Sequence, residues 1–239
     1  GYGVNPSVYR GPDGELEAVL INRPLDTFRS ETYALIDGQP DRLNLPERAS
    51  VWGAFGDRII FSIEEPWRWG ATDYATGSLM GVGLNLLAQD EDSDDPIIIS
   101  NAVPLIFQPN ERQSIEQVAI TRDRIAVTMF DNVVGQLRVF SNRGEWGWPE
   151  TVVSVPDNAT IGLVDAGRSS NQIYYSVEGF LTPNTLMTAD VGAGEPQRRA
   201  DQSRTLDLGE VVAQMPARFD AQGMVVEQFE ATSNDGTLI

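Results

Sequence analysis

The chain offers few side chains that could do chemistry, because three reactive residue types are missing. It has no Cys, no His and no Lys, so all 17 of its positive charges are Arg. Without His, a Ser-His-Asp triad cannot form within these 239 residues. Without Cys or Lys there is no thiolate nucleophile, no Cys-ligated metal and no Schiff base. We therefore expect no catalytic, cofactor-binding or metal-binding residue here.

Two acidic features could be mistaken for sites. Glu64 and Glu65, beside Pro66, are two carboxylates of the kind that glycosidases use. Adjacent strand residues face opposite sides, however, so these two cannot flank one bond, and we expect surface or packing roles. The run Gln89–Asp95 resembles a calcium loop only in charge, because the Gly and Glu that an EF-hand requires are not in place. We interpret it as a solvated loop.

Aromatic pairs are the next candidates. Trp67 with Trp69, and Trp146 with Trp148, stand at alternate positions and could stack on a sugar ring. Since aromatic side chains carry a large hydrophobic area, we predict that both pairs are packed in the protein instead.

Arginine and serine residues give two further candidates. Arg122 and Arg124 would share one strand face and could hold a peptide carboxylate, although salt bridges to the many acidic residues are the simpler expectation. Gly167–Ser170 contains serine after glycine, but no second Gly follows at the spacing of a nucleophile elbow.

Composition limits the partners. The net charge is −18 and the pI is near 4.2, which argues against nucleic acid because binding phosphates requires positive charge. The charge favours solubility, and a field that attracts cationic peptides is the alternative. No apolar run is long enough for a bilayer, so we expect no membrane partner. We expect a cytoplasmic location and keep the periplasm open, since a chain without Cys fits either compartment.

Short runs of alternating apolar and polar residues, separated by Gly, Pro, Asn and Asp, predict an all-β protein. The only helical candidate is the short segment Leu206–Met215. The predicted strands are Glu15–Ile21, Thr32–Asp37, Ser50–Phe55, Arg58–Glu64, Ser78–Leu87, Ile97–Ser100, Gln113–Ile120, Arg124–Phe130, Gly135–Phe140, Thr151–Val155, Thr160–Asp165, Gln172–Glu178, Asn184–Asp190 and Met224–Thr232.

A long all-β chain must protect its sheet edges, and radial repetition into a propeller is one solution. A blade of about four strands takes about 40–50 residues, so we predict a partial β-propeller of about four blades, the first incomplete. Three segments repeat a polar turn followed by a β-branched or aromatic strand: Gly56–Phe61, Thr121–Val127 and Gly167–Tyr175.

The last residues predict a hairpin. Val225–Ala231 alternates like a half-buried strand, Ser233–Gly236 is a turn with Gly at positive φ, and Thr237–Ile239 begins a second strand. A hairpin that stops after its turn is not a usual domain end. Together with the family resemblance described next, this leads us to interpret residues 1–230 as a propeller fragment and residues 231–239 as a junction to a further domain.

Four segments resemble the prolyl oligopeptidase family of serine peptidases. They are Asp131–Leu137 ("DNV-x-G-x-L"), Glu178–Leu186 ("FLTP-x-TL", with Met187 where Tyr is usual), Pro216–Asp220 followed by Glu227-Gln228, and Ala231–Thr237. The resemblance implies part of a seven-bladed propeller whose α/β-hydrolase domain, with the Gly-x-Ser-x-Gly elbow, Asp and His, follows the junction. It further implies cleavage of short peptides after proline, with the propeller gating access to the active site.

Two other functions stay open. The chain could be a free-standing propeller that binds proteins or ligands, which would explain the missing triad, or a five-bladed glycosidase, which would need two convergent carboxylates. If four blades are cut from a larger ring, their open faces expose apolar surface, and we expect copies of the chain to associate.

Overall fold

A computed structural model describes residues 3–88, 104–144, 147–192, 197–198, 204–206, 209–227, 229 and 231–236. These residues form four sheets, each with an antiparallel core of four strands, and one small two-stranded sheet. The predicted strand Ile97–Ser100, the acidic run Gln89–Asp95 and Trp146 lie outside the described residues.

The first sheet contains β1 (Asn5–Arg10), β2 (Leu16–Pro24), β3 (Ser30–Ile36) and β4 (Gln39–Arg42), paired in chain order. The expectation that the first blade is incomplete is wrong, because this sheet has all four strands. Its outer two strands escaped prediction because they show no apolar alternation. β4 is exposed at every position, and β1 at all but one.

The second sheet carries an inserted hairpin. Its strands follow one another as β5 (Ala49–Phe55), β6 (Arg58–Ile63), then the hairpin β7 (Trp67–Trp69) and β8 (Thr72–Tyr74), then β9 (Leu79–Gly83), helix α1 (Leu84–Leu87) and β10 (Leu105–Phe107). The sheet order is β5-β6-β9-β10, and β7 pairs only with β8. The predicted strand Ser78–Leu87 is therefore wrong over its last four residues, which form the helical turn.

The third sheet contains β11 (Gln113–Ile120), β12 (Arg124–Asp131), β13 (Val134–Ser141) and β14 (Glu150–Val153) in chain order. The fourth begins with β15 (Ala159–Ala166), β16 (Gln172–Gly179) and β17 (Thr185–Asp190). The chain then adds β18 (Gln197–Arg198) and β19 (Arg204–Leu206) to the edge of the third sheet, and returns as β20 (Glu210–Gln214) to the edge of the fourth.

Two C-terminal predictions are corrected. The described residues of Leu206–Met215 are not helical, because β20 pairs with β17 and its backbone groups are satisfied by the sheet. The described residues of Met224–Thr232 do not form a continuous strand, and only Thr232 makes a single bridge. The turn Ser233–Gly236 is confirmed, with Gly236 at φ 89° and its N–H donating to the Ser233 carbonyl.

Three hydrophobic clusters lie between successive sheets. Ala18, Leu20 and Phe61 belong to a cluster shared by the first and second sheets. Another cluster joins the second and third sheets, and the last joins the third and fourth. Sheets that each bury a face against the next around a common axis form a propeller, so the predicted partial β-propeller of four blades is confirmed.

The three repeated segments fall at one position in the blades. Gly56–Phe61, Thr121–Val127 and Gly167–Tyr175 each contain the turn between the first and second strands of a blade and the start of the second strand. The first strands β1, β5, β11 and β15 are the inner strands, and Gly53 of β5 lies against side chains of Tyr9 and Ile120 on its two neighbours.

Close approach of two blades explains one glycine of the "DNV-x-G" segment. A Cβ on Gly135 would lie 2.3 Å from the carbonyl oxygen of Ala159 and 3.0 Å from the backbone nitrogen of Ile161. Since both groups belong to the backbone of β15, they cannot move aside without shifting the fourth blade.

We expect Gly135→Ala to destabilise the chain by about 1–3 kcal/mol, the usual cost of overpacking. Urea unfolding followed by circular dichroism measures it. Gly162→Ala is the matched control in the neighbouring strand, because its Cβ meets mainly the side-chain hydroxyl of Ser176. Equal stabilities of the two variants would contradict the close contact between blades.

Among the described residues, no other sheet packs against one apolar face of the first blade. Val8 and Leu35 point away from the second blade and are exposed, with Val19 and Ile21 between them only half-buried. We expect the chain to self-associate through this face at micromolar concentration, since exposed apolar patches drive association. Light scattering measures the mass, and Val8→Ser with Leu35→Ser should shift it toward the monomer. A wild-type chain that is strictly monomeric would contradict this expectation.

Candidate functional site at the two ends of the propeller

The meander places successive connections at opposite ends of the blades. The connections β1–β2, β5–β6, β11–β12 and β15–β16 lie at one end, which we call the turn end. The connections β2–β3, β6–β9, β12–β13 and β16–β17 lie at the other, the loop end, where residues 215–221 also leave the fourth blade. Propellers and barrels place their functional groups at such ends because strands position loops rigidly.

One arginine connects the blades at the turn end. Arg168 donates from Nη2 to Oε2 of Glu17 at 2.6 Å, from Nε to the Arg10 carbonyl at 3.1 Å and from Nη1 to the Thr121 carbonyl at 2.5 Å. The other Glu17 oxygen accepts the N–H of Gly56 at 2.9 Å. These bonds involve all four blades.

A second group of bonds holds the neighbouring turn in place. The Oδ1 atom of Asn171 accepts the Thr121 hydroxyl at 2.9 Å and the Asp123 N–H at 3.1 Å. The N–H of Arg122 donates to the Ser170 carbonyl at 2.9 Å. The turns of the third and fourth blades are thus joined by side chain and backbone together.

A cavity of about 500 Å³ runs along the inner strands, which are also the strands that line a propeller axis. Its walls include Tyr9, Trp52, Ile120 and Ala166, and Arg168 lies among them. The wall is therefore mostly apolar and aromatic, with the guanidinium at the turn end.

The loop end presents bulky apolar side chains to solvent. Phe28, Val133 and Phe180 lie at equivalent connections in the first, third and fourth blades, and their exposed fractions are 74%, 73% and 83%. In a soluble protein, exposed large apolar residues grouped on one surface indicate a contact site.

The Phe28 loop is held by one carboxylate. Oδ1 of Asp26 accepts the N–H groups of Phe28 and Arg29, both at 2.8 Å, and Oδ2 accepts Nε of Arg29 at 2.7 Å. Bonds from the Phe28 N–H and the Arg29 guanidinium lower the pKa of Asp26 below its ordinary value. A lowered pKa in the folded chain means that these bonds add stability at neutral pH, and that this contribution is lost as the pH falls below the ordinary pKa of Asp, about 4.

Val133 occupies an unfavourable turn position. The two-residue turn between β12 and β13 places Asn132 at φ 49° and Val133 at φ 64°. Positive φ at both central residues is typical of a type I′ turn, in which Gly is preferred at the second of these positions. A β-branched residue at positive φ is strained, so the exposed side chain stands there at a cost to stability.

Two of the family-like segments form a groove at the loop end. Its volume is about 420 Å³, and its walls include Phe180, Pro183, Met215 and Phe219, with Arg218 beside them. The N–H of Met215 donates to the Asn184 carbonyl, which fixes the second segment against the first. The groove combines exposed aromatic side chains with a single guanidinium.

The described Trp residues are packed, as predicted. Trp69 is buried, and Trp67 stacks on it at 4.9 Å between ring centroids and meets Phe61 edge-on at 5.6 Å. Trp148 is buried against Phe55 at 5.9 Å. None of these three presents a free platform for a sugar.

The predicted carboxylate pair is not a site. Glu64 accepts the Ser50 hydroxyl at 3.0 Å, and Glu65 accepts the Arg48 N–H at 3.2 Å. The two side chains thus bind the residues after β6 to β5 and to the connection that precedes it, which is the surface role that the sequence indicated.

The arginine pair is corrected. Arg122 lies in the turn before β12 and Arg124 begins that strand, so they do not share a strand face. Arg124 pairs with Asp123 at 2.6 Å, the acidic partner that the composition favoured.

Sequence reasoning missed the residues at the turn end. Gly167–Ser170 lacks the spacing of a nucleophile elbow, yet its Arg168 makes the contacts that join the blades. Glu17 alternates with the buried Ala18, so the pattern places it on an exposed face, whereas its side chain is only 6% exposed. Nothing local in the sequence indicates this partnership.

Two absences concern only the residues that the structure describes. Among them, no three His, Cys, Asp or Glu side chains are grouped so that they could hold a metal ion. Over the same residues, no helix has the length and apolar character to cross a bilayer.

The four sheets and their arrangement define the class of this protein as a β-propeller, of which the chain forms four blades. The residues at its two ends pack against one another or are exposed for contact. Residues 100–202 match the family model described as "Prolyl oligopeptidase, N-terminal beta-propeller domain". An uncharacterised peptidase of Sinorhizobium fredii is 30% identical over 237 residues, which are 97% of this chain and 30% of that protein. An uncharacterised peptidase of Rickettsia prowazekii is 21% identical over 226 residues, 92% of this chain and 28% of that protein.

Solved structures agree on the fold. A post-proline cleaving enzyme from Rickettsia typhi superposes with a TM-score of 0.75 at 20% identity, over 98% of this chain and 32% of that one. Oligopeptidase B from Trypanosoma brucei gives a TM-score of 0.63 at 14% identity, over 98% of this chain and 31% of that one. The family match, the relatives and the shared fold support an N-terminal propeller of the prolyl oligopeptidase family, and the chain spans about a third of the length of the relatives it matches.

We expect Val133→Gly to stabilise the chain by up to about 1 kcal/mol, because Gly adopts positive φ without strain but loses more backbone entropy. Urea unfolding measures the change. Val134→Gly is the control: it begins β13, and Gly in a strand should destabilise. If Val133→Gly destabilised as much as the control, Val133 would be held by packing and would not be a strained contact residue.

Proposed function

We propose that this chain is the non-catalytic, substrate-gating propeller part of a serine endopeptidase that cleaves short peptides after proline. Its partner is an α/β-hydrolase domain of the same polypeptide, which supplies the Ser, His and Asp. The propeller covers that domain's active site, and its bulk keeps large substrates out. Water exclusion in a closed cavity and opening of the domains then control the reaction.

The single observation that carries this proposal is the apolar loop end. Phe28, Val133 and Phe180 come from three separate blades and reach the same end, and the groove beside Phe180 extends that surface. A contact surface spread over several blades fits a broad partner, such as a folded domain, better than a small ligand. Val133 supports this reading because its exposed side chain is kept despite backbone strain.

The family match supports the choice of partner. The relatives are named as peptidases, and about two thirds of their length lies outside the part that this chain matches. The structural neighbour from Rickettsia typhi is named as a post-proline cleaving enzyme. Since this chain has no His, a serine triad of such a peptidase would need residues from elsewhere. We propose a cytoplasmic location as well, in keeping with the composition.

The chain alone should neither hydrolyse peptides nor react as a serine hydrolase, because no Ser here has a His base. The test incubates it with a Gly-Pro fluorogenic amide and with a fluorophosphonate probe, with an active prolyl oligopeptidase as the positive control. Turnover, or stoichiometric labelling of a Ser, would overturn the assignment of a non-catalytic role.

The coding sequence downstream of Ile239 separates the peptidase from a free-standing interaction module. A Gly-x-Ser-x-Gly elbow roughly a hundred residues on supports the peptidase, and its absence supports the module. If the elbow is present, the full polypeptide should cleave the Gly-Pro amide. The triple change Phe28→Ser, Val133→Gly and Phe180→Ser should then lower its activity or relax its preference for short peptides. The control Leu16→Ser changes an exposed apolar residue at the turn end, away from the loop end.

A further inference from the structure

The four blades are linked in series by their cores, and nothing in those cores links the first to the last. None of the three hydrophobic clusters contains side chains from both the first and the fourth blade. Arg168 makes that connection, since it belongs to the fourth blade and reaches Glu17 and the Arg10 carbonyl of the first.

The contact between Arg168 and Glu17 is partly buried and specifically hydrogen-bonded, unlike an exposed surface salt bridge. Glu17 is only 6% exposed, and both of its oxygens accept bonds, from Arg168 and from the Gly56 N–H. Three nitrogens of the guanidinium, Nε, Nη1 and Nη2, each reach a different acceptor. Such use of the planar fork is specific to Arg and cannot be reproduced by a flexible ammonium group.

The guanidinium of Arg168 also lies at the cavity between the inner strands. Arg168 and Arg10 line the cavity along the inner strands, at the side where the turns lie. We propose that Arg168 is a clasp that joins the first and fourth blades across the propeller axis and closes the turn end of this cavity. Only the claim that access concerns peptides rests on the proposed function; the clasp itself does not.

Closure of one end decides the route by which a ligand reaches the inner strands. Because Arg168, on the fourth blade, bonds to the first and third blades, we expect its charged side chain and the turn around Thr121 to obstruct the turn end. A peptide or solute of similar size then enters the cavity from the loop end, next to Phe28 and Phe180. The clasp would therefore act as a positioning residue for gating, and not as a catalytic one.

The charged groups near the clasp define the control. Asp13 and Glu15 lie in the β1–β2 turn, and Asp57 lies in the β5–β6 turn. On the third blade, Arg122 is exposed beside the clasp, but its side chain is not part of the bonds that join Arg168 to Glu17. Arg122→Gln therefore removes the same charge at the same end without touching the clasp.

The test measures the distance between the blades directly. Because the natural chain has no Cys, Asp13→Cys and Ser169→Cys give two unique exposed sites for spin labels, one on the first blade and one on the fourth. We expect a narrow distance distribution in the parent. Arg168→Gln and Glu17→Gln should each broaden it or move it to longer distances, whereas Arg122→Gln should leave it unchanged.

Closure of the cavity is measured separately, in the Cys-free parent chain without the two spin-label sites. Ala166→Cys lines the cavity next to the clasp. A bulky thiol reagent should label it severalfold faster after Arg168→Gln, with the rate for Arg122→Gln equal to that of the parent. Arg168→Lys keeps the charge but not the fork, and it should give an intermediate rate.

Several outcomes would contradict the proposal that Arg168 joins the blades. Unchanged distances and labelling rates in Arg168→Gln and Glu17→Gln would show that the cores alone hold the blades. If Arg168→Gln fails to fold by circular dichroism, Glu17→Gln and Arg168→Lys, which retain part of the bonding, decide between the outcomes. All of these measurements use this chain by itself, so an inactive or absent hydrolase partner would leave their result intact.

Discussion

Each blade of this chain is stabilised by the apolar side chains that it shares with the next blade. A four-stranded sheet has two faces, and the structure buries those that face a neighbouring blade in clusters between successive blades. Burying one such side chain contributes about 1.5–3 kcal/mol, so the cores supply most of the favourable free energy. The blades must lie close enough for this packing, and Gly135 marks one place where any side chain would hold them apart.

Polar contacts then act on a scaffold that the cores have already formed. The Arg168–Glu17 pair adds little to stability by itself, because removing two charges from water offsets much of their attraction. Its value lies in specificity, since a guanidinium with three directed bonds admits only one arrangement of the turns. Removing only Arg168 should destabilise the chain, because the largely buried carboxylate of Glu17 would remain desolvated without the attraction of the guanidinium.

The two ends of the propeller differ in the side chains that they expose to solvent. At the turn end, charges and backbone groups are paired with one another across blades. At the loop end, Phe28, Val133 and Phe180 are left exposed, and Val133 is kept at a positive φ that Gly would adopt without strain. Asp26 accepts bonds that hold the Phe28 loop, and because they lower its pKa, Asp26 is ionised and can make them at neutral pH. This difference is the physical basis for assigning contact with a partner to one end and closure to the other.

The sequence by itself determined the fold class, most of the central strands and the family resemblance. Alternation is clear in β2 and β16, where buried positions recur with a period of two. β6 and β12 bury both faces against neighbouring blades, so their sequences are nearly continuous apolar runs bounded by turn residues. Turn chemistry also acts locally, which is why the turn Ser233–Gly236 was predictable from four residues. The missing His and Cys exclude whole reaction classes from this chain on composition alone.

Only the tertiary structure decided the rest. The exposed strands β1, β4 and β20 carry no alternation, and they are strands because a neighbouring strand satisfies their backbone. The connection between Glu17 and Arg168 spans most of the chain, and no local pattern encodes which buried carboxylate a distant guanidinium will meet. In the same way, the sequence contained Phe28, Val133 and Phe180, but the meander alone brought them to one end.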